Sequence, residues 1–197
     1  DNFLEEVKKL THKNNALLIF DETITGFRYS LGGAQELFNV IPDLATFGKG
    51  MANGFPLSAV VGSNEVMQRV EDIFFSGTFG GETLSLAAAN EIIDKYKQEQ
   101  VTEYFSEIGT YLLDQLNQLI DKRNLNDIFW TSGHPSWSFL HIKEQKKYNS
   151  FEIKTYFLQE MFKRGILTLG SHNINFSHTK KDINQLLKVY TEVLPMI

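Results

Sequence analysis

Leu17–Gly50, LLIFDETITGFRYSLGGAQELFNVIPDLATFGKG, is the stretch from which the rest of the chain is read. The apolar run Ala16–Phe20 predicts a buried strand that ends in the acids Asp21 and Glu22. A second strand-like run, Leu44–Phe47, ends just before Lys49, which stands between two glycines. Open α/β sheets keep their chemistry at the carboxyl ends of strands, in the loops that follow. An acid and a lysine, each at the end of such a strand, can therefore face one crevice. Each also has an ordinary reading: an acid after a strand caps a helix or accepts loop hydrogen bonds, and a lysine in a glycine turn is solvated.

The pairing suits pyridoxal phosphate, because a lysine amine can form a Schiff base while a carboxylate holds the ring nitrogen protonated. Pattern alone does not choose between these readings. The wider motif set does. It comprises Phe20-Asp21-Glu22-Thr23-Ile24-Thr25-Gly26-Phe27-Arg28, Gly33-Ala34-Gln35, Pro42-Asp43-Leu44, Gly48-Lys49-Gly50, Gly54–Gly62 and Ser76–Gly81. In order and spacing it resembles the class III aminotransferases, fold-type I pyridoxal-phosphate enzymes that include glutamate-1-semialdehyde aminomutase.

The resemblance implies an α/β fold, with residues 1–123 forming the later part of the cofactor-binding large domain. Residues 124–197 would form a C-terminal α+β domain. It implies that Asp21 pairs with the pyridine nitrogen and that Lys49 forms the Schiff base and shuttles a proton. Gly77 and Thr78 would reach the phosphate of a cofactor bound in the partner subunit of a homodimer. Thr23 stands where the family usually has a valine packing on the ring; its methyl can pack there and its hydroxyl can hydrogen-bond. The expected substrates are a small amine or amino acid and a carbonyl compound. The resemblance covers the C-terminal half of such an enzyme, so an incomplete site is expected. An aminomutase or racemase on the same scaffold, or a catalytically silent assembly fragment, are the alternatives.

Composition narrows the classes further. The 197 residues carry a net charge of −5, with 42% hydrophobic content and no cysteine. Mild acidity without a basic run gives no reason to expect nucleic acid or an anionic membrane. No apolar stretch approaches the ~20 residues of a spanning helix, and no signal-peptide pattern opens the chain. The lack of cysteine fits a cytoplasmic protein. The five histidines lack metal-site spacing.

Along the chain, Asp1–Asn14 predicts an amphipathic helix and Ala34–Phe38 a short one. Lys49 is expected in a constrained, buried loop before a strand at Leu57–Val61. A helix over Asn64–Val70, a strand at Ile73–Phe75 and an N-cap at Thr83 follow. Val101, Phe105, Ile108, Leu112, Leu116 and Leu119 form a core stripe on a helix through Ile120. A domain change is placed near Asp121–Asn126, before strand-like DIFWTSG and WSFLHI, whose His134, Trp137 and His141 read as packed or solvated. Phe151–Arg164 predicts a helix with Ile153, Phe157, Leu158, Met161 and Phe162 inward, stopped at Gly165. A strand is expected at Ile166–Leu169, and a capped helix from Thr179. Between them the loop GSHNI carries Ser171, His172 and Asn173, polar groups able to line a substrate pocket. Glutamate-1-semialdehyde aminomutases carry a glutamate near this loop, and ω-aminotransferases an arginine before the last helix; this chain has neither.

Overall fold

Strand and helix signals around Asp21 and Lys49 translate into short elements joined by tight turns. The computed structural model describes residues 2–197, so Asp1 of the predicted first helix lies outside the described residues. The chain divides into two compact units after Thr102, in the first turn of the longest helix. The sequence placed a domain change near 121–126; the packing division falls some twenty residues earlier.

The first unit contains α1 (Phe3–Lys13), β1 (Ile19–Asp21), α2 (Ala34–Leu37), β2 (Leu44–Phe47), β3 (Ala59–Gly62), α3 (Asn64–Met67) and α4 (Thr83–Glu99). β1 and β2 run parallel, with Ile19 opposite Leu44, Phe20 opposite Ala45 and Asp21 opposite Thr46. β3 returns antiparallel to β2. β1 is shorter and less buried than its apolar sequence predicts: Ile19 is 56% exposed. It has β2 as its single neighbour among the described strands, so one side of its ladder carries no strand. Asp43 fastens the start of this ladder, since its carboxylate accepts the Leu18 N–H at 2.7 Å and meets His12 Nε2 at 2.9 Å. Phe27, Met51, Ala52 and Ala89 form a small buried cluster bordered by Phe47, Ile93 and Tyr96.

Two local expectations give way here. Ile73–Phe75 forms no strand; its aromatic residues lie exposed in an irregular segment. The N-cap of α4 is Glu82 rather than Thr83, because the longer carboxylate reaches the Leu84 and Ser85 N–H groups, both at 2.8 Å.

The second unit contains α5 (Val101–Lys122, from Glu103 onward), β4 (Phe129–His134), β5 (Trp137–Ile142), α6 (Ser150–Lys163), β6 (Ser171–Asn173) and α7 (Lys180–Val193). β4, β5 and β6 make an antiparallel sheet in that order. The predicted stripe of α5 is buried at Phe105, Ile108, Leu112 and Leu116, and Leu116 packs in one core with Phe129, Phe157, Met161, Tyr190 and Val193. Truncating a fully buried leucine such as Leu112 to alanine costs about 2–5 kcal/mol. Gly109 of α5 lies against the β4–β5 turn, where a Cβ would overlap the Pro135 carbonyl.

α6 starts at an Asn149–Glu152 capping box and stops at Gly165, φ +78°. Its inward face is Ile153, Phe157 and Met161; Phe162, expected inward, is half-exposed. Buried Glu160 takes Phe162's place on that face, held by Lys163 at 2.7 Å and Arg164 at 2.8 Å. The predicted strand at Ile166–Leu169 is not one. Leu167 and Leu169 are exposed, and the strand that pairs with β5 is the more polar Ser171–Asn173.

Candidate active site

The parallel pairing of β1 and β2 brings Asp21 and Thr46 side by side at the carboxyl ends of the two strands. Asp21 Oδ1 accepts the Thr23 N–H at 3.0 Å and the Thr46 hydroxyl at 3.0 Å. Hydrogen bonding from Thr23, side chain and backbone, and then from the Thr46 hydroxyl holds the Asp21 carboxyl below the usual carboxylate range; the nearby Lys49 charge adds to this. Asp21 is therefore an anion at neutral pH. Among the described residues its Oδ2 makes no hydrogen bond.

Thr23 turns its hydroxyl to within 3.5 Å of the Thr46 hydroxyl. Its methyl faces Gly48, where a Cβ would stand 3.4 Å away. Lys49 opens a 3-10 turn, Lys49–Met51, and holds a left-handed backbone at φ +40°. Its side chain is exposed, which corrects the expected burial, and its amine has no hydrogen bond or ion pair among the described residues. The turn itself is anchored through Met51, buried beneath it.

The segment from Asp21 to α2 is organised by Glu22, the second strand-end acid, to which the sequence reading gave no site role of its own. Its carboxylate is buried (1% exposed) and accepts from the Thr25 hydroxyl, the Ala34 N–H at 2.9 Å and the Gln35 N–H at 2.8 Å. Gly33, at φ +82°, makes room for it, since a Cβ there would land on the Glu22 carboxylate. Thr46 was also missed. Its signal was a lone hydroxyl in the apolar run before Gly48, at the strand end facing Asp21.

Gly77 and Thr78 lie in an exposed turn closed by the Gly80 N–H to Gly77 carbonyl bond at 3.0 Å. They make no hydrogen bond to Asp21, Thr23 or Lys49 among the described residues, and nothing stands within 4 Å of the Gly77 Cβ position.

In the second unit, Ser171, His172 and Asn173 are β6 itself, not a loop. Ser171 and Asn173 help to line a cleft of about 460 Å³ with Leu167, Thr168, His178 and Asp182. His172 is a core side chain at 4% exposure. Its Nδ1 lies 3.0 Å from Ser138 Oγ and its Nε2 2.8 Å from the Tyr190 hydroxyl, so both ring nitrogens are engaged internally although the residue also borders the cleft. Burial pushes the His172 pKa down to about 4 and raises that of Tyr190.

The model of the class-III aminotransferases matches residues 1–182, more than nine-tenths of the chain. The chain belongs to this family. Among its class III relatives, the glutamate-1-semialdehyde 2,1-aminomutase of Methanosarcina acetivorans is 31% identical over 98% of this chain and 48% of its own length. The 3-aminobutyryl-CoA aminotransferase of Cloacimonas acidaminovorans is also 31% identical, over 98% of this chain and 47% of that protein. The chain thus spans about half the length of the curated relatives it matches.

Of the solved structures, the FumI protein of Sphingopyxis sp. MTA144 in its PLP internal aldimine form superposes with a TM-score of 0.86. It is 25% identical and covers 98% of this chain and 46% of its own. A transaminase with PLP bound superposes at 0.88, with 17% identity over 100% of this chain and 48% of its own. The class III fold expected from sequence is the fold observed: fold-type I, mixed α/β.

Proposed function

We propose that this chain supplies the Lys49–Asp21 portion of a pyridoxal-phosphate site for amino-group transfer, within a polypeptide about twice its length. One observation carries the proposal: a free Lys49 amine near an ionised Asp21 with an unbonded Oδ2, at the carboxyl ends of adjacent parallel strands. That donor set fits pyridoxal phosphate, which needs an amine for its aldehyde and an anion for its ring nitrogen. Bound there, the cofactor supplies an aldehyde that an amine can join and a ring that withdraws electron density from the adjoining carbon.

The residues divide the work. Asp21 Oδ2 would accept a hydrogen bond from the protonated ring nitrogen, and Thr46 and Thr23 keep the carboxylate ionised and oriented. The Thr23 methyl packs against the ring. Lys49 Nζ would be the attachment point for the cofactor's aldehyde and, as a free amine, would move a proton to and from the substrate carbon. Gly77 and Thr78 bind the phosphate of a cofactor in a second subunit of a homodimer with shared sites. Ser171 and Asn173 line the substrate cleft for a small amine or amino acid and its carbonyl partner. Residues 1–123 belong to the cofactor-binding domain and 124–197 to a C-terminal domain. We place the whole protein in the cytoplasm and expect this chain alone to be inactive, its site incomplete.

Relatives named as aminomutases favour a second reading, transfer within one molecule. The discriminating experiment supplies a ¹⁵N-labelled amine and an unlabelled 2-oxo acid to the full-length protein with pyridoxal phosphate. Label appearing in a new amino acid, and lost in Lys49→Ala, supports transfer between molecules. Label that changes carbon without leaving its molecule supports the aminomutase. No movement of label with any amine tested, in a protein that holds the cofactor, would overturn both.

A further inference from the structure

Phe27 and Lys49 hold left-handed backbone, at φ +60° and +40°, although neither is glycine, and their segments meet. A bulky residue persists there only where its surroundings over-determine it. For Phe27 those surroundings are visible. Its carbonyl accepts the Tyr96 hydroxyl of α4 at 2.7 Å. Its ring stands edge-on to Phe47 and to Tyr96, with centroids 6.1 and 5.9 Å away. The preceding Gly26 N–H is tied to the Glu22 carbonyl at 2.8 Å.

The Lys49 turn rests on this support. The Gly48 carbonyl accepts the Met51 N–H and the Lys49 carbonyl the Asn53 N–H, each at 2.9 Å. Met51 and Ala52 are buried in the same cluster as Phe27. Between them Gly50 passes so close that its Cβ position lies 3.3 Å from the Phe27 Cβ.

We infer that Tyr96 and Phe27 are positioning residues for Lys49: the Tyr96 hydroxyl fixes the Phe27 backbone, and Phe27 is the floor that keeps the Lys49 turn left-handed. The inference rests on the proposed role of Lys49 as the cofactor's attachment point, but the turn can also be tested apart from that role. Tyr96→Phe removes the hydroxyl and keeps the ring. Tyr111→Phe is the control, because it removes a comparable bond, from Tyr111 to Asn184 at 2.7 Å, in the second unit.

The full-length wild type, Lys49→Ala and both tyrosine variants are incubated with pyridoxal phosphate and reduced with borohydride at timed intervals. The label on each lysine is then quantified by peptide mapping across a pH series. Amide exchange at Met51 and Asn53 is followed in parallel. For Tyr96→Phe we expect labelling of Lys49 slowed on the order of fivefold, the worth of one hydrogen bond. We also expect a shifted pH profile and faster exchange at Met51 and Asn53, with Tyr111→Phe matching wild type. Wild-type labelling, pH profile and exchange in Tyr96→Phe would overturn the inference, as would equal slowing in Tyr111→Phe. Absence of label at Lys49 in the wild type would instead overturn the cofactor role of Lys49, and the exchange data would then decide whether Tyr96 holds the turn.

Discussion

Mild acid is expected to destabilise the second unit through His172. The side chain is enclosed at 4% exposure, and its two nitrogens are engaged by Ser138 and Tyr190. Burial disfavours the imidazolium and puts the folded pKa at about 4, below the ordinary 6.5. The folded value lies under the unfolded one, so the stabilising contribution is complete above about pH 6.5. It is lost as pH falls towards 4, where the unfolded chain takes a proton that the folded chain refuses. A difference of about 2.5 units at 1.36 kcal/mol each gives roughly 3 kcal/mol across that window.

Glu160, held at about 2 by hydrogen bonds from Lys163 and Arg164, begins to lose its own contribution only as pH falls past its ordinary 4.5, at the acid edge of the window, and does so alike in wild type and variant. His134, lowered by burial as well, acts with the same sign and is present in wild type and variant alike. The assay is urea unfolding followed by tryptophan fluorescence, which reports the second unit selectively because Trp130 and Trp137 are the chain's two tryptophans. His172→Gln is expected to be less stable at pH 7, by roughly 1–3 kcal/mol for its imperfectly bonded partners. Its loss of stability between pH 6.5 and 4 should be smaller than that of wild type by about 3 kcal/mol. Parallel pH dependences for the two proteins would refute the reasoning.

Further outcomes follow from the same contacts. Gly109→Ala gains about 1 kcal/mol of helix propensity but drives a methyl into the Pro135 backbone, an overpacking that costs about 1–3 kcal/mol or more. A lowered fluorescence midpoint is expected, and a raised one would contradict the close approach. Thr46→Val removes a donor to Asp21, so the Asp21 pKa should return upward towards its ordinary value in a ¹³C carboxyl titration; an unchanged value would show that Thr46 does not hold it. Glu22→Gln sets an amide where a carboxylate accepts three hydrogen bonds, and should cost about 1–3 kcal/mol. Faster amide exchange at Ala34 and Gln35 would register this, and unchanged exchange would contradict it.

The long helices were legible because a buried stripe repeats every three to four residues, as from Phe105 to Leu116. The β4–β5 hairpin was legible from strand-like runs either side of Gly133-His134-Pro135. β6 was not. Ile166–Leu169 has the composition of a strand, but the backbone bonds to β5 are made by Ser171–Asn173, and which segment pairs with a sheet edge is not written in its hydrophobicity. Asp21 and Lys49 were legible from their motif and strand-end positions. Glu22 and Thr46 were not, because a buried carboxylate and a strand hydroxyl show their purpose only once their partners are in place. The exposure of Lys49 also escaped the sequence, since apolar flanks predict burial only where another layer covers them.

The cofactor assignment stands or falls on visible absorbance after adding pyridoxal phosphate to wild type and Lys49→Ala, on this chain and on the full-length protein. We expect a protein-bound band in the full-length wild type that is absent from Lys49→Ala, and no such band from this chain alone. A full-length protein that develops no band, or one whose band survives Lys49→Ala unchanged, would contradict the assignment of Lys49.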